Sequence, residues 1–309
     1  MNNLIILVGP TASGKTSLGI QLAQALAGAV VSADSRQVFA GLNIGTAKPA
    51  AAWRNDAHDA LTTDTIDGID HYLLNVCPPD QTYTLPQWQA AAYQVIDHLH
   101  TQHITPLLVG GTMLYADSII FNYHIPAVGP NESLRQELSH ETSASLYKKM
   151  IEQDPATAEF IEPHHQQRII RALEVIAATG QPFSASRQKS PARYRIKTIG
   201  LFPGWEVLTK NITERAQAML SDGLLDEVQQ LRAQYGRDLP LLTTMNYQHA
   251  GELLDQKISA AEALQKIVSL NVRYARRQMS WWKNRNDITW FAQPDITAIT
   301  TSIADAITP

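Results

Sequence analysis

The chain has a single cysteine, Cys77, in 309 residues, so it can form no disulfide within itself. It also lacks any Cys/His pair at metal-ligand spacing, which excludes a structural zinc and points to a reducing compartment, the cytoplasm. No apolar run approaches the roughly 18 to 20 residues of a membrane span. The run that opens the chain, Met1 to Pro10, is too short for a signal segment and passes straight into a glycine turn. No membrane association is expected. Internal repeats and low-complexity tracts are missing too, and the loop Pro182 to Pro191 and the tail after Pro294 are the loose ends expected. A surplus of positive charge is likewise absent: the net charge of −4 argues against a protein that coats nucleic acid indiscriminately.

That mean hides two local patches. Ser186 to Gly204 carries Arg187, Lys189, Arg193, Arg195 and Lys197 with no acid, and Arg273 to Arg285 carries Arg273, Arg276, Arg277, Lys283 and Arg285, again with none. Two basic stretches in an acidic chain suggest a polyanion held on one face. The length leaves room for one sizeable core and a subdomain. Short apolar runs alternate with helical patterns, as in a parallel α/β sheet: Leu4 to Val8, Ala29 to Ser32, Tyr72 to Val76, Leu107 to Val109, and only much later Ile196 to Phe202. Between the last two, Leu134 to Leu138, Ala144 to Glu152 and Gln166 to Ala178 have apolar residues at helical spacing, punctuated by Asp154-Pro155 and Glu162-Pro163. The pattern predicts a core over 1–124 and 192–309 with an inserted helical domain over 125–191. Helices are expected again from Trp205 to about Tyr235 and from Ala260 to about Asn284.

Gly9-Pro10-Thr11-Ala12-Ser13-Gly14-Lys15-Thr16 satisfies G-x-x-x-x-G-K-S/T between a strand and the helical run Ser17 to Leu26. In such a turn successive N–H groups point inward, a helix N-terminus adds its positive end, Lys15 adds a charge and Thr16 can ligate Mg²⁺. The motif reports a di- or triphosphate, so a small-molecule kinase or ATPase is one reading. Such enzymes want an acid after a later strand, yet Leu107 to Val109 ends in Gly110-Gly111-Thr112. The one acid at a strand end is Asp34.

Ligands of parallel sheets bind beyond the carboxyl ends of the strands, so Gly9, Asp34 and Thr112 should open onto one crevice. A cradle, a carboxylate and a hydroxyl suit a reaction in which diphosphate leaves and a nucleophile loses a proton to Asp34. Duller roles stay open: Asp34 as the cap of a turn, and Thr112 as the N-cap of Met113 to Ile120. Arg215 interrupts the apolar stripe Leu208, Ile212, Met219, and a buried arginine needs an anion, either a carboxylate near Glu214 or Asp222 or a diphosphate.

These segments resemble a known family. GPTASGKT at 9–16, DSRQVFAGLNIGTAKP at 34–49, PLLVGGTMLY at 106–115, QRIIRALEV at 167–175 and YARRQMSW at 274–281 are similar, in order, to the signatures of bacterial tRNA dimethylallyltransferases, over nearly the whole chain to about Trp290. The resemblance implies a P-loop core with an inserted helical domain. It also implies transfer of a dimethylallyl group from dimethylallyl diphosphate to N6 of the adenine adjacent to the anticodon. Asp34 then stands as the general base, Thr112 as its partner, Arg215 as a diphosphate ligand, and Thr11 to Thr16 as the holder of diphosphate with Mg²⁺. It further implies tRNA anticodon stem-loop contacts from Asp34, Ser35, Arg36, Gln37, Thr112, Arg135, Gln167, Arg168, Arg171, Arg276, Arg277 and Gln278. No obligate protein partner is expected, and a monomer is. The chain departs from the pattern at Met245-Asn246-Tyr247-Gln248, where Ile-Gly-Tyr-Lys or -Arg is common, at Asn271-Val272 in place of Thr-Arg, and at Phe39 in place of tyrosine.

Residue pattern alone leaves the tRNA face open. Gln37 reads as a base contact or a surface turn residue, and Arg171 as a tRNA ligand or the partner of Glu174. Tyr274 and Trp281 read as core more readily than as a stacking platform, so the basic residues carry the expectation. His71, His164 and His165 have no ligand partners at metal spacing. The close rival is an isopentenyltransferase of free adenine nucleotides, which would need no long basic helix near the C-terminus.

Overall fold

In a computed structural model describing residues 1–307, eighteen elements follow one another along the chain. They are β1 (Asn3–Val8), α1 (Lys15–Ala25), β2 (Gly28–Ser32), β3 (Asp64–Ile66), β4 (Ile69–Tyr72), α2 (Leu85–Thr101), β5 (Thr105–Val109), α3 (Met113–Ile120) and α4 (Glu132–Ser139). There follow α5 (Ser143–Gln153), α6 (Gln166–Thr179), β6 (Arg195–Leu201), α7 (Trp205–Ser221), α8 (Leu224–Tyr235), α9 (Met245–Leu254), α10 (Ala260–Trp282), β7 (Ile288–Phe291) and α11 (Ile296–Ile307). Thr308 and Pro309, within the expected loose tail, lie outside the described residues. Among the described residues no helix is long and apolar enough to cross a membrane.

The strands form one sheet in the order β3-β4-β2-β5-β1-β6-β7, parallel throughout except for β3 against β4. This is an α/β fold with the crossover order of a P-loop protein. β5 lies between β2 and β1, in register Val31↔Leu108 and Leu7↔Val109, so the carboxyl ends of all three strands are neighbours. Both faces of such a strand are covered, which is why the runs read as continuous Val, Ile and Leu. On one face Ile5, Leu7, Val30, Leu107 and Ile199 pack with Leu18 and Leu22 of α1 and with Ile299 and Ile303 of α11.

The chain divides into two compact units, one of Met1–Thr84, Trp88–Ala116 and Arg193–Pro309, the other of Leu85–Gln87 and Asp117–Ala192. The sequence pattern put the front boundary at 124/125; by contacts it falls at 116/117, inside α3. The second unit has its own core of Leu138, Leu146, Met150, Ile161, Ile169 and Leu173. Its helices α4 and α5 begin at side-chain caps, Asn131 accepting from the Leu134 N–H at 3.1 Å and Thr142 from the Ser145 N–H at 3.2 Å.

Several elements differ from expectation. Tyr72 to Val76 is not a strand: β4 ends at Tyr72, and Leu73 and Asn75 take φ of 61° and 53°. That turn presents Asn75 to the buried Lys48 ammonium and, through Nδ2, to Ala52 O and Asp64. Trp205 to Tyr235 is two helices, broken at Gly223, whose φ of 105° a side chain would resist. The tail after Pro294 is not loose, since α11 packs on the sheet. Nor does the loop from Pro182 begin loosely: Phe183 joins the core of its unit, and the Ser184 N–H and hydroxyl both donate to Asp154, at 2.7 and 2.8 Å.

A buried carboxylate organises the segment that follows Asp34. Glu227, on α8, accepts the N–H groups of Asn43, Ile44 and Gly45 at 3.1, 2.8 and 3.1 Å and the Tyr247 hydroxyl at 2.7 Å. Burial, and then the carboxylate itself, hold the Tyr247 phenol well above its usual range, so it remains a donor. In Glu227→Gln one acceptor oxygen becomes an NH₂ facing buried donors, which should cost about 3 kcal/mol. A denaturant midpoint equal to the parent's would show that the carboxylate does not fasten this loop.

Candidate active site

The first turn of α1 starts at Gly14, whose φ of 93° only glycine adopts without strain, and the backbone there curls into a cradle. Gly110, beyond β5, passes so close to the end of β2 that a Cβ would lie 2.2 Å from Ala33 O. This close approach joins the three strand ends in one crevice of about 430 Å³, lined by residues 11–17, Asp34, Gln37, Gly110, Gly111, Arg215 and Tyr274. Hollows of about 610 and 670 Å³ on the outer faces of α11 and α7 are shallower and have no cradle.

Two cations face the cradle. Lys15 Nζ rests on Pro10 O at 2.6 Å and near Ser13 Oγ at 3.5 Å; Arg215 Nη2 donates to Thr11 Oγ1 at 2.6 Å. Glu214 instead points outward to Lys210, so the carboxylate suggested for Arg215 is not its partner. Burial, then the Arg215 charge, draw the Lys15 ammonium down to about 7, against the pull of Asp34. Burial likewise lowers Arg215 to about 10. Two desolvated cations with one carboxylate nearby make a site that is short of negative charge.

A pH dependence follows. A bound polyanion favours the charged lysine, so above pH 7 binding must take up a proton, and affinity should fall by up to about tenfold per pH unit. Calorimetry of dimethylallyl diphosphate binding at pH 8, in two buffers of different ionisation enthalpy, should show that uptake in the parent and not in Lys15→Ala. Equal heats in the two buffers for the parent would contradict it.

Asp34 does two things at once. Its Oδ1 accepts the N–H groups of Arg36 and Gln37 at 2.8 and 3.2 Å, the cap anticipated for it, while among the described residues nothing donates to Oδ2. One oxygen fixes the turn and the other faces the crevice. Thr112 Oγ1 accepts the Ser35 N–H at 3.0 Å and donates to Ser35 Oγ at 3.3 Å, tying the β5 end to the 34–37 turn. Gln37 donates through Nε2 to Thr46 O and Ala47 O at 3.1 and 3.3 Å, which leaves Oε1 as an acceptor.

Gln278, expected as a tRNA contact, is buried, 1% exposed, at the wall of the crevice. Its Oε1 accepts the Thr11 N–H at 2.8 Å and its Nε2 donates to Gly111 O at 2.7 Å, so the amide braces the cradle against the β5 end. Asn211, which the pattern did not single out, supports the same loop by donating to Ala12 O at 3.0 Å.

The sequence model of the IPP transferase family matches residues 37–285, and that of isopentenyl transferase matches residues 2–57. The chain belongs to the IPP transferase family. It is 41% identical over 288 residues to a tRNA dimethylallyltransferase of Thermosynechococcus vestitus, covering 93% of this chain and 88% of that one. To its counterpart from Acaryochloris marina it is 39% identical over 289 residues, with 93% and 92% covered. The solved full-length tRNA isopentenylpyrophosphate transferase of Bacillus halodurans superposes with a TM-score of 0.71 at 31% identity, covering 99% of this chain and 97% of that one. A eukaryotic dimethylallyltransferase acting on tRNA shares the fold, with a TM-score of 0.76 at 23% identity, 99% of this chain and 77% of that one being covered.

The basic residues of this IPP transferase sort themselves by partner. On α10, Arg273, Arg276 and Arg277 are exposed, Arg276 lying 6.0 Å from the Trp205 ring and Arg277 5.8 Å from that of Tyr274. Trp281, expected in the core, is exposed, while Tyr274 is half-buried and lines the crevice. The other basic stretch is not one face. Arg195 begins β6, at the end of the sheet away from the crevice, and Arg193 pairs with Asp97 at 2.5 Å. In the second unit Gln167 and Arg168 are exposed. Arg135 and Arg171, expected as tRNA contacts, both bind the buried Glu174, which also accepts the Asn131 N–H at 2.6 Å. The Arg171–Glu174 pairing left open by the spacing is present, and Arg135 joins it.

Proposed function

We propose that the crevice transfers a dimethylallyl group from dimethylallyl diphosphate to N6 of an adenine adjacent to the anticodon of tRNA. The observation that carries this is the free Oδ2 of Asp34 in the same cavity as Lys15 and Arg215, a base beside a diphosphate cradle. Adenine N6 is a poor nucleophile because its lone pair is delocalised, so the electrophile has to be made reactive. As the allylic C1–O bond breaks, negative charge builds on the diphosphate, where Lys15, Arg215 and the first N–H groups of α1 stabilise it. The new bond forms between N6 and C1, and the N6 proton passes to Asp34 Oδ2.

Mg²⁺ suits this site in a limited way. Among the described residues no three His, Cys, Asp or Glu side chains converge, and the Thr16 hydroxyl would hold the ion together with the donor's phosphates and water. When bound, the ion neutralises charge on the leaving diphosphate. Thr16 is exposed at the cradle, in position for that role.

The acceptor base reaches the crevice by leaving its stack, which is less costly from a loop than from a duplex. The turn Ser35, Arg36 and Gln37 with Thr112 receives it, while Arg276, Arg277, Gln167 and Arg168 contact the tRNA backbone. Arg135, shared between Glu174 and Glu132, and Arg171, on Glu174, are paired cations of their unit. The catalytic unit in this reading is the monomer, working where tRNA is, in the cytoplasm. Incubation with the donor and Mg²⁺ should prenylate tRNA and leave AMP unmodified, and tRNA binding should weaken steeply with salt as phosphate contacts release counterions. Transfer to AMP with tRNA untouched would favour the free-nucleotide enzyme instead.

A further inference from the structure

The two departures from the pattern that the chain otherwise resembles meet in the fold. Asn271, on α10, donates through Nδ2 to Asn246 Oδ1 at 2.7 Å and to Ile267 O at 2.8 Å. Asn246, at the start of α9, donates through its own Nδ2 to Gly45 O at 2.8 Å and lies 3.5 Å from Met219 Sδ. Both are buried, 3% and 4% exposed for 246 and 271. They line a cavity of about 170 Å³ that shares Thr11, Asp34 and Arg215 with the diphosphate crevice. Taking five carbon groups at about one water each, about 30 Å³, a prenyl chain needs about 150 Å³. A diphosphate in the cradle with its C1 near Asp34 therefore has this cavity for its hydrocarbon.

The wall does not match a hydrocarbon. Leu42, Met219 and Met245 are what a dimethylallyl group calls for, but the amide pair is set among them. Among the described residues nothing donates to Asn271 Oδ1, although the residue is almost wholly buried. Asn271 lines the cavity with an acceptor that no described protein group uses, and an apolar side chain there would suit a purely apolar ligand better.

We propose that the chain also takes as donor a five-carbon allylic diphosphate with a hydroxyl on one terminal methyl, and that Asn271 Oδ1 accepts the hydrogen bond from that hydroxyl. This rests on the transferase reading of the crevice. Asn246 holds the Asn271 amide in orientation. The chemistry at C1 is unchanged: the C1–O bond breaks, diphosphate leaves with its electron pair, N6 bonds to C1 and Asp34 takes the proton. The hydroxyl is carried intact into the product.

The test compares kcat/KM for tRNA prenylation with 4-hydroxy-3-methylbut-2-enyl diphosphate and with dimethylallyl diphosphate, in the parent, in Asn271→Val and in Asn271→Thr. The parent should use the hydroxylated donor within about tenfold of the other. Asn271→Val, which removes the acceptor, should lower the ratio of hydroxylated to plain donor at least about tenfold, and Asn271→Thr, which keeps an oxygen, should hold it within about threefold. A parent that rejects the hydroxylated donor by about a hundredfold or more, while using the plain one, overturns the proposal and leaves the transferase reading intact. So does a ratio unchanged in Asn271→Val. If that variant does not fold, the parent ratio and Asn271→Thr decide. Failure of both donors would remove the transferase reading, and the proposal with it.

Discussion

Asp34→Asn should lower the single-turnover rate of tRNA prenylation by about 10² or more, with dimethylallyl diphosphate and tRNA both still bound. The reason lies in the division of labour between the two carboxylate oxygens. An asparagine Oδ1 can still accept the Arg36 and Gln37 N–H groups, so the turn that shapes this edge of the crevice survives. Its NH₂ in place of Oδ2 cannot take a proton. Binding is therefore retained while chemistry is lost, a combination that a folding defect would not produce. If Asp34 instead held a metal for a nucleotide, the same change would weaken Mg²⁺-dependent diphosphate binding and leave prenylation of tRNA irrelevant. Near-normal prenylation would show that the base is another group.

Lys15→Ala should reduce kcat/KM for the donor by about 10² to 10³, the usual cost of removing one donor from a developing oxyanion, and should leave tRNA affinity within about twofold. Lys15 and Arg215 face the cradle, whereas Arg273, Arg276 and Arg277 are exposed on α10. The two sets of cations serve two ligands. Parallel filter-binding of tRNA and equilibrium binding of dimethylallyl diphosphate to the variant would measure both. Equal loss of both affinities would contradict a division between a diphosphate cradle and a tRNA face.

Much of this site was legible in the chain because its parts are local. The cradle is one continuous motif with a strand before it and a helix after it, and Asp34 and Thr112 each follow a strand run by two or three residues. Pairing neighbours in the sheet then brings them together. What was not legible depends on partners far along the chain. Gln278 sits in a basic, polar-looking stretch, and nothing nearby shows that its amide meets the Thr11 N–H 267 residues away. Glu227 looks like an ordinary acid in the first turn of a helix, yet it fastens three N–H groups of the 43–45 loop. Burial of polar groups with distant partners leaves no periodic trace.

Strands and breaks were missed for other reasons. β7 is four residues long and owes its identity to pairing with β6, in register Thr198↔Ile288 to Leu201↔Phe291. The apolar run Tyr72 to Val76 looked like a strand because hydrophobicity was its only visible property; the positive φ angles at Leu73 and Asn75 come from tertiary demands on Asn75. The apolar pattern runs on through Gly223, so two helices read as one, although the glycine itself was the available signal. For α11 the signal was also present, Ile296, Ile299, Ile303 and Ile307 recurring at helical spacing, and Pro294 obscured it.

The most direct test of the account is the identity and stoichiometry of the products. Parent enzyme, Mg²⁺, dimethylallyl diphosphate and tRNA should yield, after nuclease digestion and mass spectrometry, an adenosine carrying one five-carbon group on N6, with one diphosphate released per group transferred. Substituting ATP for the donor should give no modified nucleoside and no orthophosphate. Orthophosphate released from ATP, with the adenosines of tRNA unmodified in the presence of the allylic donor, would contradict it.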